Sequence, residues 1–379
     1  MSRFALLVMV LSLLGPFFIS VMMTAWVRGW AIRRGFVDHP GGHKAHARPI
    51  ALGGGIAITA ALVLPLVLAV LLSLAARVWL PASVLEHVVN LGDRSARLGD
   101  LLGGVVIKVR PAMAILAGAI VLHILGVLDD VRPLGPGFKM IIMLAVGLVL
   151  TAGFGIRSLD VLGPGPAVVL TTLWIVLVTN AFNFMDNMDG LSAGVAVITA
   201  TVFAAASLLA GQVFVPALGF MLVGAAMGFL LFNFPPASIF MGDAGSLVVG
   251  YFMAVLTVLT HYYDPAEQQK PFGMLAPLIV LAVPIYDVVS VVVARLRERV
   301  SPFRGDRRHF SHRLVRRGLR TRSAVLTIYL ATAATGCSAL LLPAASWALA
   351  AVIGAQCLCI VLIVAILESV GGADEGQTS

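Results

Sequence analysis

Eleven apolar runs dominate this chain of 379 residues, and their length leaves it few folds to adopt. They cover approximately residues 5–27, 52–75, 111–128, 138–154, 166–182, 191–210, 213–232, 246–262, 273–294, 323–342 and 346–367. A helix needs about 20 apolar residues to cross a hydrocarbon core of about 30 Å, and these runs fall around that length. Charged residues make up 12% of the chain, against about 25% in soluble domains. The alternating segments of about ten residues that build a membrane β-barrel are absent. The expected fold is an all-α polytopic membrane protein of about 11 transmembrane helices, a single domain over residues 1–379 without internal repeats. Residues 4–27 are too long and continuous for a signal-peptide core and lack a small-x-small cleavage site, so they are read as a retained first span. Cys337, Cys357 and Cys359 lie in late apolar runs without metal-ligand spacing and are expected to be small core residues.

The net charge of +8 does not imply nucleic acid, because the basic residues sit in short loops beside apolar runs. Loops after odd-numbered runs carry 18 Lys and Arg (5 in 28–50, 2 in 129–139, 11 in 295–322); the opposite side, with Arg3, carries 8. This excess predicts that the loops after odd-numbered runs are cytoplasmic, with the N-terminus outside and the C-terminus inside. Residues 76–110 carry five basic residues on the other side and are expected to lie along the interface. On this assignment all the polar motifs converge on the cytoplasmic face.

Three of those motifs are acidic. Asp129 and Asp130 close the third run, where two carboxylates oppose the helix dipole and a helix stop does not require them; a solvated loop is the plain alternative. Arg132 and Lys139 follow closely enough to hold phosphate oxygens. Asn180, Asn183, Asp186 and Asp189 recur every three residues, and a helix continuing through them would carry them as a drifting stripe on one side. Such oxygens suit a hard cation like Mg2+, which takes a few carboxylates plus phosphate and water; helix–helix hydrogen bonding is the alternative. Asp243 lies between Gly242 and Gly245, which permit tight turns, although GDAGS alone also fits an ordinary helix N-cap.

Two basic loops complete the set. SPFRGDRRHFSHRLVRRG (301–318) joins His309 and His312 to Arg307, Arg308 and Arg313, groups suited to a pyrophosphate; a plain cytoplasmic loop explains the arginines but not the histidines. DHPGGHKAHARPIALGGG (38–55) supplies Lys44, His46 and Arg48, which lipid headgroups alone would also explain. Within the apolar runs, Asp287 is expected to pair with a basic neighbour, in a structural or a catalytic role alike, and His123 to serve packing.

The ordered motifs Asp38 to Gly55, Asp129 to Leu134, Asn180 to Leu191, Gly242 to Ser246 and Ser301 to Leu314 resemble those of the polyprenyl-phosphate N-acetylhexosamine-1-phosphate transferases, of glycosyltransferase 4 type. The resemblance covers roughly residues 25–320. It implies transfer of a sugar-1-phosphate, GlcNAc-1-phosphate above all, from a UDP-HexNAc donor to undecaprenyl phosphate in the bacterial inner membrane, with release of UMP. It further implies Mg2+, or Mn2+ in its place, held by Asp243 with Asn183. Asp129 or Asp130 would take a proton from the lipid phosphate or orient it, and Asp186 and Asp189 would help with nucleotide or metal. Lys44, His46, Lys139, Asn180, His309, His312 and Arg313 would bind substrate. The phospho-N-acetylmuramoyl-pentapeptide transferases form a second branch, with consecutive histidines where this chain splits His309 from His312. The residues after Lys139, MIIMLAVG, also lack a Gln often found there. An ion-coupled secondary transporter is the reading from another class, with membrane lipids and a homodimer as the remaining partner expectations.

Overall fold

The computed structural model describes residues 3–38, 49–79, 96–263, 271–299 and 309–369. Lys44, His46, Arg48 and residues 301–308 lie outside the described residues. The helices are α1 (Arg3–Arg34), α2 (Gly54–Trp79), α3 (Ala96–Val131), α4 (Pro136–Leu148), α5 (Pro164–Met185), α6 (Leu191–Leu209), α7 (Phe214–Asn233), α8 (Asp243–Leu259), α9 (Ala276–Val280), α10 (Ala282–Arg297), α11 (Phe310–Arg316), α12 (Thr321–Ala339) and α13 (Trp347–Ser369). One short antiparallel pair, β1 (Val37–Asp38) and β2 (Ile50–Ala51), sets Val37 opposite Ala51.

Among the described residues nine helices are long and apolar enough to cross a membrane. The pair Pro271–Val280 and Ala282–Arg297, bent by 61°, passes the same test as one broken span or re-entrant loop, and the shorter α8 covers the eighth apolar run. The bend falls at Leu281, so that Pro284 enters the first turn of α10, where its missing N–H needs no intrahelical acceptor. The protein is therefore membrane-embedded and, among the described residues, helical apart from one short β pair, as its composition requires.

The core is organised around α8. Every residue from Ala244 to Val258 is buried, and the helix packs against α2, α3, α5, α6 and α7. A helix apolar on all sides belongs inside a bundle. At 17 residues it spans about 25 Å, so its N-terminus is set by its neighbours rather than by lipid. Around it, Leu11, Met22 and Trp26 of α1, Leu68 and Leu72 of α2, and Val352 and Leu358 of α13 turn outward, as a lipid-facing surface demands.

Small residues bring the neighbours to the start of α8. Gly55 of α2 lies against the backbone of Ala244 and Gly245, and Gly126 of α3 against that of Asp243 and Ala244; a Cβ at either would collide with main chain. One expectation fails in the periphery. Cys337 and Cys359 are exposed and Cys357 only partly buried, so these thiols lie on outward faces of α12 and α13 rather than in the core. Lipid accepts a small apolar thiol as readily as protein does.

Candidate active site

The C-terminus of α3 meets the N-terminus of α8, and this junction resolves the awkward pair of acids. Asp130 accepts the backbone N–H of Asp243 on Oδ1 (2.8 Å) and that of Ala244 on Oδ2 (3.1 Å). The charge that opposes the dipole of its own helix thus satisfies two orphan donors at the positive end of another. The N-cap position of α8 is Gly242, which has no side chain to cap with and adopts φ +71°. A Cβ there would stand 2.5 Å from Asp130 Oδ2, so the glycine makes room for a cap supplied by α3.

Because the cap comes from elsewhere, Asp243 is free for other contacts. Its Oδ2 accepts from Lys139 Nζ (2.8 Å) and its Oδ1 from Asn183 Nδ2 (3.0 Å). Lys139, in the first turn of α4, also reaches Asp129 Oδ2 (3.1 Å). Asp129 in turn accepts the N–H of Leu134 on Oδ1 (2.7 Å), pinning the connection from α3 to α4. Asn183 donates further to Ser246 Oγ (2.9 Å), one turn into α8. The ends of α3, α4, α5 and α8 are stitched together by polar side chains of one cluster.

The stripe expected from Asn180 to Asp189 does not form, because α5 ends at Met185 and residues 186–189 are a turn leading to Gly190 at φ +72°. Asn183 faces α8, whereas Asn180 donates back to Val176 O (2.8 Å) and lies near Met143 of α4. Asp189 accepts the N–H of Ala237 (2.9 Å) and so holds the α7–α8 connection, together with Asn233, which accepts from Gly190 N and donates to Ile239 O (both 2.9 Å). Asp186, the C-terminal cap residue of α5, stays with the acidic cluster. Burial, and after it the charges of Asp243 and Asp130, hold its carboxyl well above the usual range, offset in part by the N–H of Gly242. Replacing Asp186 by Asn is expected to raise the unfolding temperature of the metal-free protein by about 2 °C while lowering turnover, a check made by paired thermal melts and rate assays.

A second cluster sits beside the first. Asp287 of α10, fully buried, lies 2.8 Å from His309 Nδ1 through Oδ2 and accepts the N–H of Phe310 on Oδ1 (3.1 Å). The His309 ring meets Phe184 edge-on at 5.7 Å, and the Arg295 guanidinium lies over the Phe184 ring at 5.6 Å. Ser311 donates to Asn187 Oδ1 (2.6 Å), and Arg313 to Ser290 Oγ (2.9 Å). His312 is half-buried on α11. His123 packs as expected, its Nδ1 lying 3.0 Å from both Thr59 Oγ1 and Ala244 O.

The description glycosyl transferase family 4 matches residues 112–261, a stretch that holds all of the first cluster and none of Asp287, His309 or His312. Over 335 residues the chain is 32% identical to the probable undecaprenyl-phosphate N-acetylglucosaminyl 1-phosphate transferase of Bacillus subtilis, covering 86% of this chain and 82% of that one. The chain belongs to glycosyl transferase family 4. It is also similar to the decaprenyl-phosphate N-acetylglucosaminephosphotransferase of Mycolicibacterium smegmatis, at 31% identity over 82% of this chain and 76% of that one. The undecaprenyl-phosphate alpha-N-acetylglucosaminyl 1-phosphate transferase of Yersinia pestis is 29% identical over 86% and 82% of the two chains.

Of the residues singled out in the sequence, the first cluster gathers Asp129, Asp130, Lys139, Asn183, Asp186 and Asp243. Ser246 was missed, although its place one helical turn after Asp243 puts it on the same face. Phe184, Asn187 and Arg295 were missed as well, and nothing in their local sequence marks them.

Proposed function

We propose that this chain transfers GlcNAc-1-phosphate from UDP-GlcNAc to undecaprenyl phosphate, forming a lipid-linked sugar pyrophosphate and releasing UMP. An oxygen of the lipid phosphate bonds to the β-phosphorus of the donor, and the bond from that phosphorus to the bridging oxygen breaks, the electron pair leaving with UMP. The observation that carries this reading is the cluster of four carboxylates and one lysine around the start of α8, in a chain whose relatives bear names for this reaction.

Phosphoryl transfer asks a protein mainly for positioning and charge stabilisation. Among the described residues no group of three or more His, Cys, Asp or Glu side chains forms a closed metal cage. The donor set nonetheless fits Mg2+, which takes one or two carboxylates and leaves its other positions to phosphate and water. Among the described residues, Asp186, Asp243, Asp130 and Asp129 have a single ammonium, Lys139, among them, an excess of negative charge that a cation would relieve. Asp243 with Asn183 would hold Mg2+, or Mn2+ in its place, which when bound polarises the donor pyrophosphate. Asp130, with both oxygens committed to α8, positions Asp243. That leaves Asp129 to orient the lipid phosphate or take its proton, with Lys139 steadying the developing charge. His309, His312 and Arg313 bind the diphosphate and sugar, and Lys44 and His46, outside the described residues, are assigned to substrate binding by the family resemblance alone.

The site faces the cytoplasm of a bacterial inner membrane, where UDP-sugars are found, in line with the basic loops on that side. Its acids lie at helix ends rather than along a midplane pathway, which argues against a transporter. Purified protein in detergent, given Mg2+, undecaprenyl phosphate and a panel of UDP-sugars, is expected to release UMP with UDP-GlcNAc. Turnover with UDP-MurNAc-pentapeptide alone would move the chain to the peptidoglycan branch. Counterflow transport without a covalent product would overturn the reading.

A further inference from the structure

We infer that Asp287 is a positioning residue, a buried carboxylate that orients His309 and docks the His309–Arg313 segment onto the C-terminal end of α5, which carries Asn183, and onto the turn that follows it. The inference rests on the proposed reaction and adds to it a residue outside the acidic cluster. Asp287 lies inside the bundle at 0% exposure, and both of its oxygens are used, one by His309 Nδ1 and one by the N–H of Phe310 at the start of α11. A carboxylate receiving from Nδ1 leaves Nε2 as the ring nitrogen that can face a ligand, as the partners of metal-bound and catalytic histidines do.

Two contacts carry that placement to the acidic site. The His309 ring abuts Phe184, the residue after Asn183, and Arg295 stacks on the same ring. Ser311 donates to Asn187, which in turn donates to Phe184 O (2.6 Å). The end of α5 is thus gripped on one side by α8, through Asn183, and on the other by α11, through Phe184 and, in the turn that follows, Asn187. A donor whose diphosphate reaches the acidic cluster while its sugar and phosphate oxygens meet His309 needs both grips at once. A staple with only a structural role would alter stability and leave the two substrates equally affected; a positioning role falls on the donor.

The test uses the full chain, with steady-state UMP release measured while UDP-GlcNAc and undecaprenyl phosphate are varied separately, and with thermal melts of each variant. Asp287→Asn keeps the shape and an acceptor for Phe310 N–H. It is expected to raise KM for UDP-GlcNAc by about ten- to a hundredfold with KM for undecaprenyl phosphate unchanged. His309→Ala is expected to do the same, and the double variant to be no worse than the poorer single one. Should Asp287→Asn fail to fold, Ser311→Ala breaks the second contact and is expected to raise the same KM. Donor KM unchanged in a folded Asp287→Asn, equal shifts for both substrates, additive losses in the double variant, or a Ser311→Ala without effect would overturn the inference. A wild type that releases no UMP from any donor overturns the proposed reaction itself, and the inference with it.

Discussion

Asp243→Ala is expected to lower UMP release by about a thousandfold, and Asp243→Asn to lower it nearly as far. A group that stabilises charge arising only in the transition state is worth several kcal/mol, and about 4 kcal/mol corresponds to three powers of ten in rate. Asp243 stands where that contribution is available: it heads the central helix, its backbone is held by Asp130, and its carboxylate reaches Lys139 and Asn183. Asn fills the same space without the charge, so a common loss in both variants isolates charge from shape. The fold should survive, since the side chain is one-quarter exposed and the N-terminal donors it carries are satisfied by another residue. A folded Asp243→Asn retaining more than a third of wild-type turnover would remove Asp243 from the chemistry.

The neighbouring pair should part company on substitution. Asp130→Ala leaves the N–H groups of Asp243 and Ala244 without an acceptor at a glycine-capped helix start, and a lost cap of this kind costs about 1–2 kcal/mol. The apparent unfolding temperature should fall by several degrees, and activity with it, because Asp243 loses its support. Asp129→Asn keeps an oxygen for the N–H of Leu134 and removes only the charge that faces Lys139. It should melt near the wild type while turnover falls by about a hundredfold, the size of a typical acid–base contribution. Thermal melts and rates on the same preparations decide it. Equal melting of the two variants, or an unaffected Asp130→Ala, would contradict the division of labour.

Much of this was legible in the chain because a bilayer enforces its own arithmetic. Each of the eleven apolar runs corresponds to a helix or a bent helix pair, and Asp129, Asn183 and Asp243 were marked by being polar where the run ends. What stayed hidden depends on contacts between residues far apart. Asp130 and Asp243 are 113 positions from one another, so no local pattern says that one acid caps the helix of the other. The period of three from Asn180 to Asp189 was real but misleading: Gly190 at positive φ closes a turn, and Asp189 follows the α7–α8 connection instead of the helix. Asp287 was visible as a buried acid, and His309 as half of a split pair, yet their pairing needed α10 to fold against α11. Gly55 ends a motif and Gly126 lies in an apolar run, and neither position says locally that it must admit the backbone of α8.

In the proposed reaction the β-phosphate travels with the sugar. Full-length protein in detergent with Mg2+ and undecaprenyl phosphate should be given UDP-GlcNAc labelled with 32P in the β-phosphate, and the solvent-extractable lipid separated from the nucleotides. Label is expected in the lipid, together with unlabelled UMP in equal amount. Label left in UDP, as transfer of the sugar alone would give, or an unlabelled lipid fraction, would contradict it.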